Sequence, residues 1–167
     1  MKHFPLVLSR TFPQWHPRAG RKTFFKSKLE NAHVVPYDPM GENIPDGQPS
    51  MKLHTIRGNY ERWARIFEEI NKGAACIELR QWSGVPYRSK QETIAVLTKE
   101  DGIGLQKLEF EHALDIYWCN AVIRNTIVEK WGLALNDGLS YDDWRAWFEN
   151  ADLSEPMAII HFTKFRY

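Results

Sequence analysis

Cysteine is nearly absent: Cys76 and Cys119 are the only two among 167 residues. That excludes a disulfide-stapled scaffold, and with neither residue in a CxxC pair it excludes the usual zinc spacings. The six histidines are scattered without metal-ligand spacing, so neither a metal nor a cofactor is expected. No uncharged run approaches the ~18 apolar residues that a membrane span needs. The opening MKHFPLVLSRTFPQWHPRAG lacks a sustained apolar stretch followed by a small-residue cleavage site. The expectation is a cytoplasmic chain, not associated with membranes, with two ordinary buried thiols. Repeats and low-complexity segments are missing as well. Gly102-Ile103-Gly104 has none of the remaining glycines of a dinucleotide or phosphate-loop fingerprint and reads as a hairpin turn.

What is present suits one globular domain spanning residues 1–167. At 43% hydrophobic and 26% charged, the chain can bury a core and is not disordered. Its net charge of +1 conceals a split. Residues 1–90 carry 15 Lys+Arg against 8 Asp+Glu, and residues 91–167 carry 7 against 13. A basic half attracts polyanions; two opposite halves can equally pack together and neutralise each other. Trp15, Tyr37, Tyr60, Trp63, Trp82 and Tyr87 lie in the basic half. Rings beside guanidinium groups are what unpaired bases stack upon, although Trp63 reads as core.

Patterning predicts α+β. Phe4–Ser9 reads as an opening strand, followed by a turn-rich stretch with His16 and Arg18. A short helix is expected over Thr23–Leu29, then a Pro/Gly-rich loop over about 35–50. Asn59 caps a helix from Tyr60 to Asn71, which Gly73 stops. Strands are expected at Ala75–Trp82, Gln91–Thr98, Leu105–Phe110 and Met157–Phe165, while Ala113–Leu135 is open between helix and strand. Ser140 caps a short helix carrying Trp144, Trp147 and Phe148, which reads as core or, alternatively, as a protein-interaction module. Strands interrupted by helices without regular alternation exclude a doubly wound sheet.

The informative hexapeptide is Lys52-Leu53-His54-Thr55-Ile56-Arg57. If fully extended, Lys52 faces away from Thr55 and Arg57. If the chain turns within it, ammonium, hydroxyl and guanidinium converge into a cradle for a phosphate or a polar base edge. A surface strand with solvated charges is the competing reading.

KLHTIR, followed by ELRQWSG and closed by AIIHFTKF, resembles the signature G-x-K-x-x-T-x-R of the ASCH domain family in the PUA-like superfamily. Lys52, Thr55 and Arg57 match; the glycine is displaced to Gly47. The resemblance implies a small PUA-like β-barrel of mixed strands with helices packed around it, binding RNA or a nucleotide in a cleft lined by the motif. Lys52, Thr55 and Arg57 would build that cleft, Arg80 and Trp82 its wall, with Tyr87 and Arg18 further out. Some relatives are amidohydrolases acting on a modified nucleoside, in which the motif's lysine and threonine join a downstream glutamate. Lys52 and Thr55 would then be catalytic; the glutamate has no clear counterpart, and only Asp137 lies where a substitute would. A ribonuclease role has also been proposed for the family. His16, His54 and His161 are the acid–base candidates for it, although nothing in their spacing pairs them.

Overall fold

The computed structural model describes residues 1–34, 49–112 and 115–167. The expected loop over 35–50, with Gly47, therefore falls outside the described residues up to position 48. So do residues 113–114 of the ambiguous stretch.

Among the described residues the fold is α+β, with four α-helices and two separate sheets. The three-stranded sheet runs β1 (Lys2–Val7), β3 (Ala75–Trp82), β4 (Gln91–Leu97) in spatial order, β1 parallel to β3 and β3 antiparallel to β4. The five-stranded sheet is antiparallel throughout. Its order is β2 (His54–Arg57), β8 (Met157–His161), β5 (Gly104–Glu111), β6 (Asn120–Ile123), β7 (Thr126–Val128). Hydrogen bonding does not close these strands into a barrel. No helix among the described residues is long and apolar enough to cross a membrane.

Helix α2 (Tyr60–Asn71) joins the sheets by packing against β3 on one side and β5 and β8 on the other. It buries Trp63, Ile66, Phe67 and Ile70, the i, i+3, i+4, i+7 stripe legible in the sequence. Helices α3 (Lys130–Asn136) and α4 (Tyr141–Phe148) pack on each other, while α1 (Phe25–Val34) buries Phe25, Lys28 and Leu29. The stretch open between helix and strand resolves into β6, a turn at Arg124-Asn125, β7 and then α3. The closing strand stops at His161, four residues short of the expected Phe165, because the chain then turns and ties Tyr167 to Gln106. The opening strand begins at Lys2 rather than Phe4, paired residue for residue with β3. Cys76 and Cys119 are buried free thiols.

The α2 start also yields a stability prediction. Asn59 sits in the left-handed region (φ 57°) and its side chain accepts the Arg62 N–H at 3.1 Å. Asn59→Ala loses the cap and strains the backbone, so it should cost about 1–2 kcal/mol in urea unfolding. Asn59→Gly, which relieves the strain, should cost only a few tenths; equal losses would show that the cap alone matters.

Candidate functional site

The hexapeptide is not one extended strand. Residues 51–53 precede β2, and their backbone is held by three different elements. Lys52 N–H donates to Lys28 O of α1 at 3.0 Å, Leu53 N–H to Asn136 O of α3 at 2.7 Å, and Phe162 N–H to Leu53 O at 2.8 Å. Strand pairing with β8 begins only at His54. This change of course brings Lys52 to the same side as Thr55 and Arg57. All three line one narrow cleft of about 260 Å³, open to solvent and admitting little more than a water-sized body. Its floor is polar: Ser9, Lys52, Thr55, Arg57 and Asp137. Its walls are Phe25, Leu139, Trp147 and Phe148.

The cleft lies among β2, α1, α4 and the turn after α3, and beside it the two sheets are tied by Arg57. Its Nη2 donates to Val7 O at the end of β1 (2.9 Å) and its Nη1 to Ile56 O (3.1 Å), which leaves further N–H groups of its planar fork for the cleft. Lys52 is fully buried, and its Nζ donates to Asp137 Oδ1 and Asp137 O, both at 2.5 Å, while lying 4.0 Å from the Phe25 ring centre. Lys28, equally buried, donates from Nζ to Gly138 O at 2.7 Å. One turn, Asp137-Gly138, thus receives two buried ammonium groups at the C-terminal end of α3, where the helix dipole favours cations. Gly138 adopts φ +77°, and a Cβ there would come within 3.1 Å of Lys52 Cβ and 3.3 Å of Met51 O. Only glycine lets the turn approach so closely.

Burial dominates the electrostatics. It pushes the Lys28 ammonium down from 10.5 to about 7, with Lys52 adding repulsion. It pushes Lys52 down to about 8 against the attraction of Asp137. The Asp137 carboxyl is pushed up by burial although Lys52, Arg57 and Lys28 all pull it down. The Arg57 guanidinium is also lowered by burial. The result is a lysine that releases its proton close to neutrality, beside a threonine whose hydroxyl takes no partner among the described residues.

The other expected site residues do not line this cleft. Arg18 is held by Asp143 (Nη1 to Oδ2, 2.9 Å) and lies over the Phe12 ring. Arg80 is paired with Glu78 at 2.8 Å on β3. Trp82 and Tyr87 form an outward pair with ring centres 5.2 Å apart, Tyr87 being 89% exposed. The turn around His16 is exposed at Trp15, Pro17, Ala19 and Gly20, but His16 itself is buried: Nδ1 accepts the Arg18 N–H and Nε2 faces Asp143 O, both at 3.0 Å. His54 and His161 stand opposite each other across β2 and β8, rings 5.5 Å apart and fully buried, away from the cleft. Burial lowers both, His161 to about 3 with help from Arg166, and His54 with help from His161 and Lys52. Neither is placed as an acid or base for the cleft. Trp144 and Phe148 of α4 belong to the core, with Trp147 half-buried at the cleft.

Sequence reasoning missed Phe25, Lys28, Trp147 and Phe148 as site residues. Lys28 had a signal: with Phe25 and Leu29 it forms an i, i+3, i+4 set, so a lysine sits on an apolar stripe.

Comparison of the chain with protein-family models, curated proteins and solved structures returns no match to any of them.

Two predictions follow from the buried charges. Lys52→Met and Asp137→Asn each leave an uncompensated buried charge and should cost about 3 kcal/mol or more. The double variant should cost clearly less than their sum in urea unfolding at pH 7, a coupling on the order of 1–3 kcal/mol; additive losses would show that the pair does not interact. For His161, the folded pKa lies below the unfolded 6.5. Its stabilising neutrality is therefore complete above pH 6.5 and lost as pH falls towards 3. Between pH 6.5 and 4.5, wild type should lose about 1 kcal/mol per pH unit more than His161→Phe. Parallel pH profiles would mean that the ring protonates freely in the folded state.

Proposed function

We propose that the protein binds RNA or a nucleotide, seating a base in the cleft built by Lys52, Thr55 and Arg57. The observation that carries this reading is the convergence of those three side chains on one cleft with aromatic walls. Phe25, Trp147 and Phe148 offer faces for a planar base, while the amine, hydroxyl and guanidinium meet its carbonyl and ring-nitrogen edge. Among the described residues, Lys28, Lys52, Arg57 and Arg18 outnumber the two carboxylates Asp137 and Asp143 around it, a field that favours an electron-rich ligand. Base entry requires a wall to move, and Trp147, half-buried where Phe25 and Phe148 are buried, is the least enclosed ring of that wall. The Trp82/Tyr87 pair, with Arg80 behind it, offers a stacking platform for a flanking nucleotide. The likeness of KLHTIR to the ASCH signature supports the same reading, with the two sheets as the halves of a small PUA-like barrel. Free thiols at Cys76 and Cys119 fit a reducing, cytoplasmic setting.

A second reading has its own observation: Asp137, the only candidate for a missing carboxylate, pairs with Lys52 beside Thr55. In this hydrolase reading the neutral Lys52 amine takes the Thr55 proton as the hydroxyl oxygen bonds to the acyl carbon of an acylated base. Arg57 stabilises the oxyanion. The C–N bond then breaks, the leaving amine takes the proton back from Lys52, and water cleaves the resulting ester.

Calorimetric titration with ribonucleotides and short single-stranded RNA tests the binding reading, comparing wild type with Thr55→Val. The isosteric change should keep the unfolding midpoint within about 1 kcal/mol and weaken binding about five- to tenfold. No binding by wild type at millimolar ligand would overturn it. Release of acetate from an acetylated cytidine, abolished by Thr55→Val, would establish the hydrolase reading instead.

A further inference from the structure

We infer that the ligand of the cleft carries a phosphate, and that a second, basic pocket adjoining the cleft at Phe25 holds it. This rests on the reading above, which seats the base, and adds the place where the phosphate of that nucleotide or strand is held.

The second pocket has about 630 Å³ of empty volume, more than twice that of the cleft. Phe25 lines both, so a ligand seated in one reaches the other across a single residue. Three cations from three places in the chain line it. Arg10 follows β1, Lys22 lies in the bridge that pairs it with Thr11, and Lys26 stands in the first turn of α1. No acidic side chain lines the pocket, and none of the three cations has an acidic partner among the described residues. Arg10 spends one N–H on Ser83 O, which fixes its stem; Lys22 and Lys26 are exposed.

The same pocket contains Phe24, 38% exposed and held at φ +58°. A bulky side chain adopts that backbone region only under constraint, at a cost of order 1 kcal/mol. Here the constraint holds an aromatic ring outward among three cations. Ring and cations together form the pattern by which single strands are held, stacking for the base and ammonium groups for the backbone. The absence of acidic residues from the first turn of α1 leaves the positive end of that helix uncompensated and adds to a field the side chains already set. The cleft offers less of this: Lys52 commits two of its three N–H donors to Asp137, and Lys28 donates to Gly138 O outside the lining. A dianionic or repeating anionic group is better met by the three cations next door, which have no acidic partner among the described residues.

The test compares the four ribonucleosides, their 5′-monophosphates and a six-residue oligouridylate, at 50 and 200 mM salt. The proteins are wild type, Lys22→Ala/Lys26→Ala and the charge-conserving Lys22→Arg/Lys26→Arg. Both lysines are exposed, so the variants should share the wild-type unfolding midpoint. Wild type should bind a phosphorylated ligand at least tenfold more tightly than its nucleoside. The alanine pair should remove most of that advantage and leave nucleoside affinity unchanged, while the arginine pair should retain it. For the strand, the slope of log K against log salt should become shallower by about 0.7 for each lysine removed. An advantage for both monophosphate and strand assigns the pocket to a terminal phosphate; an advantage for the strand alone assigns it to a phosphodiester. Equal affinity for nucleoside and phosphorylated forms, or an alanine pair identical to wild type, overturns the phosphate pocket and leaves the cleft reading standing. If wild type binds none of these ligands, the cleft reading falls, and the phosphate pocket with it.

Discussion

The molecule is organised around two ammonium groups driven into its interior and received there by one turn. Lys52 ends on the carboxylate and carbonyl of Asp137, and Lys28 on the carbonyl of Gly138. A charge in that position without a partner would cost several kcal/mol, so the turn must stand where it does for the core to close. The geometry of Gly138 is what permits it: a side chain at that position would press on Lys52 and on the backbone of Met51. From this contact the rest of the site follows. Lys52 anchors the segment before β2, its backbone is held by α1 and its neighbour's by α3, and β2 then pairs with β8 carrying Thr55 and Arg57 into the cleft.

Buried ion pairs are poor sources of stability compared with apolar packing of similar volume. Leucine or methionine at positions 28 and 52 would fill this interior without desolvating charge. This interior holds Lys28, Lys52 and Asp137 instead, with Arg57 beside them. Burial brings Lys52 to about 8 and Lys28 to about 7, within reach of neutral pH, which a solvated lysine never attains. Arg57 does both jobs at once, joining the sheets through Val7 O while presenting its remaining donors to the cleft.

Opposite charges of the two halves of the chain meet in the interior. Basic residues of the first half do meet acids of the second: Lys52 with Asp137, and Arg18 with Asp143. Exposed cations remain, among them Arg10, Lys22 and Lys26 around Phe24, which have no acidic partner among the described residues.

Local rules were sufficient for the elements whose stabilising contacts lie close in sequence. The α2 stripe, its Asn59 cap, the Ser140 cap of α4 and the extent of β3 could be read directly, because periodicity and capping need only three or four neighbouring residues. The residue types of the site were legible too, as Lys52, Thr55 and Arg57, with Asp137 as the one available carboxylate. Their juxtaposition was not. Whether Lys52 joins Thr55 depends on backbone bonds to Lys28, Asn136 and Phe162, partners 24 to 109 positions away, and no local pattern encodes those. The same holds for His16, which local turn signals place at the surface and which Asp143, 127 residues on, draws into the interior. Sequence alone determined which groups were available and which segments were regular; tertiary structure decided which groups met, because burial and charge pairing are properties of neighbours in space.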